Sequence, residues 1–146
     1  MRNIKYIVFH CTATSQNTTV AQLKKEFRRR GWKAPGYHYV ISPNGVISCL
    51  LPENKVANGV RGHNAESIHV AYIGGISMKT GKPVDNRTLE QKKALRVWAE
   101  LLKEKYPAAE VVGHRDLSPD LNGDGVISPN EWVKVCPCFD AKKEYN

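Results

Sequence analysis

Two apolar segments that each stop at a histidine place the strongest constraint on how this chain folds. The first covers residues 4–9 and ends at His10, and the second, Val111-Val112, ends at Gly113-His114. Short apolar runs bounded by polar or glycine residues are typical of buried strands. If these two strands lie parallel and adjacent, both imidazoles emerge at one edge, where open α/β sheets usually place their sites.

Strand and helix patterns alternate along the rest of the chain. Capping boxes at residues 19–22 and 88–91 each open an amphipathic helix. Three more segments have the apolar, β-branched character of strands, namely residues 37–41, 46–51 and 68–73. We therefore predict an α/β fold, a single domain over residues 1–146 in which a central mixed β-sheet is flanked by helices.

The composition is that of a globular protein with an excess of positive charge. Hydrophobic residues make up 41% of the chain, charged residues 25%, and the net charge is +8. No run approaches the ~18 apolar residues of a membrane span. The charge indicates an anionic partner (nucleic acid, a lipid surface or bacterial cell wall) or serves solubility alone. Only residues 24–30 cluster basic side chains around an aromatic one, and a solvated helix face explains them more simply, so we expect no nucleic-acid partner.

The first residues, MRNIKYIVFH, lack the apolar stretch and the small-residue cleavage site of a signal peptide. We therefore expect synthesis in the cytoplasm, with action there or beyond it after lysis or non-classical export, unless this sequence lacks a natural leader. In that setting free thiols or metal ligation are more consistent with the cysteines than disulfides are. The chain has four of them: Cys11, Cys49, Cys136 and Cys138.

A metal site is one interpretation of the histidines at the strand ends. His10, His114 and Cys136 offer two imidazoles and a thiolate, a mixture that zinc binds readily. A catalytic zinc keeps three protein ligands and one open position for water. The spacing is not diagnostic, because the chain has no HExxH motif and no CxxC pair. The alternative is that His10 is an ordinary strand-end histidine and Cys136 a small buried apolar residue.

Five motifs in sequence order carry a resemblance: FHCTAT, GYHYVISPNG, SIHVAYIGG, GHRDLSP and KVCPCFD. Together they resemble the zinc-dependent N-acetylmuramoyl-L-alanine amidases of the phage-lysozyme type, which are related to peptidoglycan recognition proteins. The resemblance implies that His10, His114 and Cys136 bind zinc and that Tyr37 and Lys134 assist catalysis. The implied reaction is hydrolysis of the amide bond between N-acetylmuramic acid and L-alanine in bacterial peptidoglycan.

The implied chemistry is coherent with these residue types. Zinc polarises a carbonyl and lowers the pKa of its bound water, and the oxyanion that forms needs a donor such as Lys134 or Tyr37. The sequence does not identify the general base. Two rivals stay open: a non-catalytic peptidoglycan-binding module of the same fold, which we would expect to lack Cys136, and a basic nucleic-acid-binding protein.

Other polar residues are weaker candidates. Arg61, His63 and Asn64 lie in an irregular segment and are candidates for lining a substrate groove, with an ordinary surface loop as the alternative. We interpret His38 as structural, because in a strand it points away from its neighbour Tyr37. His69 is interpreted as a strand residue, Cys11 and Cys138 are expected to pack in the interior, and the protein is expected to be a monomer.

Residues 120–131 match the twelve-residue EF-hand loop that binds calcium, as an insertion between two candidate zinc ligands. The predicted calcium ligands are the side chains of Asp120, Asn122, Asp124 and Glu131 and the backbone carbonyl of Val126. A metal-free turn with a capping box is the alternative. A short helix predicted near residues 130–134 is compatible with both, and the helix that normally precedes such a loop is missing. On the calcium hypothesis, the ion rigidifies the loop and positions Lys134 and Cys136.

Overall fold

The computed structural model describes residues 2–146 and contains one five-stranded sheet. In chain order the strands are Tyr6–Cys11 (β1), Tyr39–Ile41 (β2), Ile47–Cys49 (β3), Ser67–Tyr72 (β4) and Glu110–Gly113 (β5). They lie in the order β3-β2-β4-β1-β5. β1 is parallel to both β4 and β5, β2 is parallel to β4, and β2 and β3 form an antiparallel hairpin. The prediction of a mixed sheet is confirmed, and the two strands that lead to His10 and His114 do lie parallel and adjacent.

Three α-helices accompany the sheet: Val20–Arg29 (α1), Leu89–Lys105 (α2) and Ala141–Tyr145 (α3). The capping boxes predicted at the starts of α1 and α2 are both formed. On one face of the sheet, α1 packs through Leu23 and Phe27. The larger core, next to α2 and α3, contains buried side chains from β1, β4 and α2: Ile7, Phe9, Ile68, Val70, Tyr72, Leu95 and Leu102. Helices therefore flank both faces, as predicted.

Strand alternation decides which side chains reach the site. Phe9 and Cys11 of β1 point into the core beside α2, so His10 between them points to the face that α1 covers. The same alternation in β4 places Ile68 and Val70 in the core and turns His69 toward the face of His10.

Two local predictions need correction. The strand predicted at residues 37–41 begins only at Tyr39, so the argument that His38 points away from Tyr37 does not apply. The helix predicted near residues 130–134 is a single 3₁₀ turn, Pro129–Glu131. It ends there because Trp132 becomes extended and stacks with the Arg115 guanidinium, 4.1 Å from the ring centroid.

The guanidinium of Arg87 ties the C-terminal helix to the body of the protein. Its side chain is only 4% exposed and lies 2.9 Å from an Asp85 oxygen and 3.2 Å from a Glu144 oxygen. It also stacks on Phe139, 3.5 Å from the ring centroid. Charge pairing and stacking thus hold together α3 and the segment just before it.

Replacing Arg87 by methionine is expected to lower the free energy of unfolding by about 3 kcal/mol, because it leaves two carboxylates without their partner. We expect the lower part of the range for broken buried pairs, since the side chains of Asp85 and Glu144 retain 31% and 32% exposure. Urea unfolding at neutral pH measures the change. In the control Arg29→Met, loss of the solvent-exposed pair with Glu26 should change the free energy of unfolding much less. Equal losses in both variants would contradict the assignment.

The Arg87 contribution is expected to depend on pH. Burial alone would raise the pKa of Asp85, but hydrogen bonds and charge from Arg87 outweigh burial and hold that pKa below its usual value of 3.8. A carboxyl whose pKa is lower in the folded state contributes stability above its unfolded pKa and loses it as the pH falls. The stability difference between the native protein and Arg87→Met should therefore shrink below about pH 4.

Among residues 2–146, no helix combines the length and the apolar character required to cross a membrane.

Candidate active site

Three side chains converge at the edge of the sheet where β1 and β5 end. His10 is the next-to-last residue of β1, His114 directly follows β5, and Cys136 comes from the C-terminal segment. One potential ligand atom from each side chain lies within 4.8 Å of those of the other two. The Nδ1 atom of His10 is 3.8 Å from the Cys136 sulfur. The structure thus brings together the three residues that the sequence suggested as metal ligands.

Backbone contacts hold Cys136 against the strand ends. The backbone N–H of Cys11 points to the Cys136 sulfur at 3.2 Å, and the N–H of Arg115 donates to the Cys136 carbonyl at 3.0 Å. Gly113 allows the close approach, because a Cβ atom there would lie 2.7 Å from the Pro137 ring. The glycine before His114 is therefore required by packing at the site.

Both histidines of the site are held in the neutral form. Burial lowers the pKa of His10 well below its usual value, and the nearby His69 and His114 lower it further. Burial, followed by the charge of Lys134, lowers the pKa of His114 to about 4. Neutral imidazole is the form that binds metal ions.

Tyr37 forms the wall beside His10, with the two ring centroids 5.1 Å apart. Its hydroxyl donates to the Cys11 carbonyl at 3.4 Å. Burial, together with the nearby Cys136 and Cys11, raises the pKa of the Tyr37 phenol above its ordinary value. The side chain therefore stays protonated and serves as a hydrogen-bond donor.

The converging side chains line a cavity of about 300 Å³. Lys134 is exposed on its rim, and its charge acts on both His10 and His114. Glu26, Arg30 and Trp32 line the other side. The cavity is therefore open to solvent and carries an ammonium group beside the imidazoles.

The three candidates for a substrate groove separate in the structure. Arg61 and His63 line a second cavity of about 450 Å³ that also reaches His114. Asn64 instead accepts hydrogen bonds from the backbone N–H groups of Gly59 and Val60, at 3.0 and 2.8 Å. The amide of Asn64 thus shapes its own loop.

Sequence reasoning missed the contact that His69 makes with the site. Its Nδ1 atom lies 2.8 Å from Nε2 of His10, and the side chain is fully buried. The available signal was the alternation of SIHVAY, which places the histidine opposite the apolar side chains of β4.

The four cysteines are free thiols in this structure. Cys11 is buried in the core as predicted, and its sulfur lies 3.9 Å from that of Cys138. A hydrogen bond with Cys136, together with burial, raises the pKa of Cys11 to about 12, which keeps it a thiol. Neither Cys11 nor Cys138 belongs to the cluster of potential ligands that contains Cys136.

The acidic loop before Cys136 is closed by its own hydrogen bonds. The buried Glu131 carboxylate accepts backbone N–H groups of Leu121 at 2.6 Å and Ser128 at 3.0 Å. The Asp120 carboxylate accepts that of Gly125 at 2.7 Å. Carboxylate oxygens of Asp120, Asp124 and Glu131 lie within 4.8 Å of one another. Val126 and Asn122 belong to the same exposed loop, and a 3₁₀ turn stands where an EF-hand has its second helix.

Comparison with known proteins identifies the family. The model of the Amidase_2 family, described as N-acetylmuramoyl-L-alanine amidase, matches residues 1–136. An uncharacterized protein of Haemophilus influenzae is 49% identical over 97 residues, which cover 66% of this chain and 83% of the relative. The endolysin of Klebsiella phage KP32 is 32% identical over 139 residues, covering 94% of this chain and 82% of the endolysin.

Solved structures include the same architecture. The N-acetylmuramoyl-L-alanine amidase LysC from Clostridium intestinale matches with a TM-score of 0.74 at 24% identity, covering 98% of this chain and 82% of LysC. At this identity the likeness establishes the fold alone.

The fold and the convergence of two histidines and a cysteine at the carboxyl ends of parallel strands define a hydrolase of the peptidoglycan amidase class. The chain belongs to the N-acetylmuramoyl-L-alanine amidase family, Amidase_2, and its function is that of a peptidoglycan amidase.

Proposed function

We propose that the amidase reaction takes place at a zinc ion held by His10, His114 and Cys136. The supporting observation is the convergence of two neutral imidazoles and one sulfur within 4.8 Å at the floor of an open cavity. Three ligands of this kind are typical of a catalytic zinc, which keeps one position for water or substrate. When bound, zinc supplies Lewis acidity toward the substrate carbonyl and lowers the pKa of bound water.

The other side chains of the cavity provide hydrogen bonds and charge. As an amide is hydrolysed, its carbonyl oxygen becomes negatively charged, and donors already in place stabilise that charge. Lys134 offers an ammonium on the rim, and Tyr37 a phenol that burial keeps protonated. We assign both to stabilisation of the oxyanion. The second cavity, with Arg61 and His63, extends the proposed substrate groove past His114.

The test of the proposal starts from the purified native protein. Elemental analysis is expected to find about one zinc ion per chain, the stoichiometry of a site with a single set of three ligands. Incubation with purified peptidoglycan should release new L-alanine amino termini without new reducing sugar ends. Tight binding to peptidoglycan without new amino termini would instead support a binding module, and absence of zinc would contradict the metal site.

Calcium binding by the acidic loop, residues 120–131, remains a prediction. We propose that calcium binds between the carboxylates of Asp120, Asp124 and Glu131, with Asn122 and the Val126 carbonyl completing the set. The loop ends at Glu131, three residues before Lys134. The short segment between them is fixed to the body of the protein, because the hydroxyl of Ser118 accepts the backbone N–H of Val133 at 3.0 Å. A calcium ion that makes the loop rigid would therefore help to fix the position of the Lys134 ammonium.

On this hypothesis, calcium at about 100 times its dissociation constant stabilises the protein by ~2.7 kcal/mol and raises Tm by about 5–10 °C. EGTA should reverse the increase and lower activity, with zinc kept replete throughout. The control Asp124→Ala removes one proposed ligand and should abolish the response to calcium. The hypothesis fails if melting temperature and activity of the native protein are both indifferent to calcium and EGTA.

A further inference from the structure

The two ring nitrogens of His10 have different partners. Nδ1 faces the Cys136 sulfur at 3.8 Å, on the side of the proposed zinc ion. Nε2 faces Nδ1 of His69 at 2.8 Å. Both side chains are buried, so water does not compete for this contact.

The hydrogen between His10 and His69 determines whether His10 can be a ligand. A neutral imidazole carries one N–H, so a free lone pair on Nδ1 of His10 requires the hydrogen on Nε2. That Nε2–H then needs an acceptor, and Nδ1 of His69 is in position to accept it. In the opposite arrangement His69 donates, the hydrogen of His10 lies on Nδ1, and that atom cannot bind a metal.

The surroundings of His69 fix its ring in this position. Nδ1 of His38 accepts the backbone N–H of His69 at 3.0 Å, and Nε2 of His38 donates to the Lys55 carbonyl at 2.8 Å. The rings of His38 and His69 stack with an interplanar angle of 5°. On the other side lies Gly59, where an added Cβ would overlap the His69 ring.

Packing alone does not account for a histidine at this position. Within residues 2–146, Nε2 of His69 is buried and has no hydrogen-bond partner. A buried polar atom without a hydrogen-bond partner destabilises the folded state, a cost that an apolar side chain would avoid. The hydrogen bond to His10 is the contact that an apolar side chain could not make.

We propose that His69 is a positioning residue that holds His10 in the tautomer and orientation required for metal binding. The inference rests on the proposed zinc site. Partners of metal-bound histidines typically change metal affinity by about 10–100-fold when they are removed. We expect loss of the hydrogen-bond acceptor at Nδ1 of His69 to weaken zinc binding by the same factor.

Two substitutions at His69 introduce side chains of nearly equal shape, of which only one carries a hydrogen-bond acceptor. Comparing them separates the effect of the acceptor from the effect of side-chain volume. In His69→Asn the side-chain oxygen can take the place of Nδ1, whereas His69→Leu has a methyl group there. Zinc affinity is measured by competition with a chromophoric chelator, after circular dichroism has verified the metal-free fold. We expect His69→Leu to bind zinc about 10–100-fold more weakly and His69→Asn to recover most of that loss.

The absorption spectrum of the cobalt(II)-substituted protein gives a second readout that does not depend on activity. His69→Asn should retain the native spectrum, and His69→Leu should change it because His10 is no longer held in one orientation. Equal zinc affinity in the native protein and both variants would overturn the proposal. So would equal weakening in both, because the acceptor would then be irrelevant. A native protein that binds no zinc would refute the proposed zinc site itself.

Gly59→Ala disturbs the contact between His10 and His69 without changing either histidine. The added Cβ displaces the His69 ring from His10 without removing either imidazole. Zinc affinity is expected to fall as it does in His69→Leu. This variant decides the question if His69→Leu does not fold, and native affinity in folded Gly59→Ala would overturn the proposal.

Discussion

Cys136→Ala is expected to lose tight zinc binding and peptidoglycan hydrolysis together. The substitution removes the only sulfur in the cluster of potential ligands and leaves His10 and His114 as a two-histidine site. Metal Lewis acidity contributes several kcal/mol to such reactions, and each 1.36 kcal/mol corresponds to tenfold in rate. We therefore expect kcat/KM to fall by roughly a thousandfold or more, measured as release of L-alanine amino termini, with zinc content measured in parallel.

Cys138→Ala is the matched control for this experiment. Cys138 lies two residues further along the same segment, and its sulfur faces Cys11 and not the two site histidines. This variant should keep its zinc and most of its activity. Full activity in Cys136→Ala, or equal loss in both variants, would show that the cysteine ligand is wrongly assigned.

Replacement of Lys134 by methionine is expected to separate catalysis from metal binding. Loss of one donor to a developing oxyanion typically raises the barrier by ~2.7–4 kcal/mol, which lowers kcat about 10²–10³-fold. Zinc content should be unchanged, because an ammonium group has no lone pair with which to bind a metal ion. Tyr37→Phe is expected to act in the same direction, since it removes the protonated hydroxyl next to His10.

The exposed lysine of α3, Lys143, provides the control for charge. Lys143→Met lowers the net charge by the same amount but lies outside the cavity. The kcat of Lys143→Met should remain at the native level. If loss of one positive charge weakens binding to the anionic cell wall, KM should rise in both Lys134→Met and Lys143→Met. If Lys134→Met kept the native kcat, Lys134 would have no role in catalysis.

The residues that the sequence could predict are those with a local signature. His10 and His114 lie at the ends of apolar strands, so the sequence placed both at one edge on the condition that the strands pair in parallel, which they do. Cys136 has no such signature. Its residue type made it one possible ligand, and the ordered motifs of a known family singled it out. Its position depends on contacts with Cys11, Arg115 and Gly113 that span the chain.

The predictions that failed or were not made concern tertiary contacts. The helix expected near residues 130–134 stops at Glu131, where the backbone of Trp132 becomes extended and its ring contacts Arg115 from another part of the chain. The five-residue α3 was not predicted, since a helix this short depends on contacts such as Arg87 with Glu144. His69 was read as an ordinary strand residue, because its partner comes from the neighbouring strand.

The proposed ligands come from widely separated parts of the chain, since Cys136 is 126 positions after His10. A preformed metal site rarely exists before folding, so zinc affinity would contribute directly to the stability of the assembled state. A nascent chain with β1, β4 and β5 already paired would still lack the thiolate. On the proposed zinc site, the ability to cut the cell wall would therefore require the segment carrying Cys136 to be docked on the sheet edge. A chain in which that segment is not docked would be inactive even with all five strands in place.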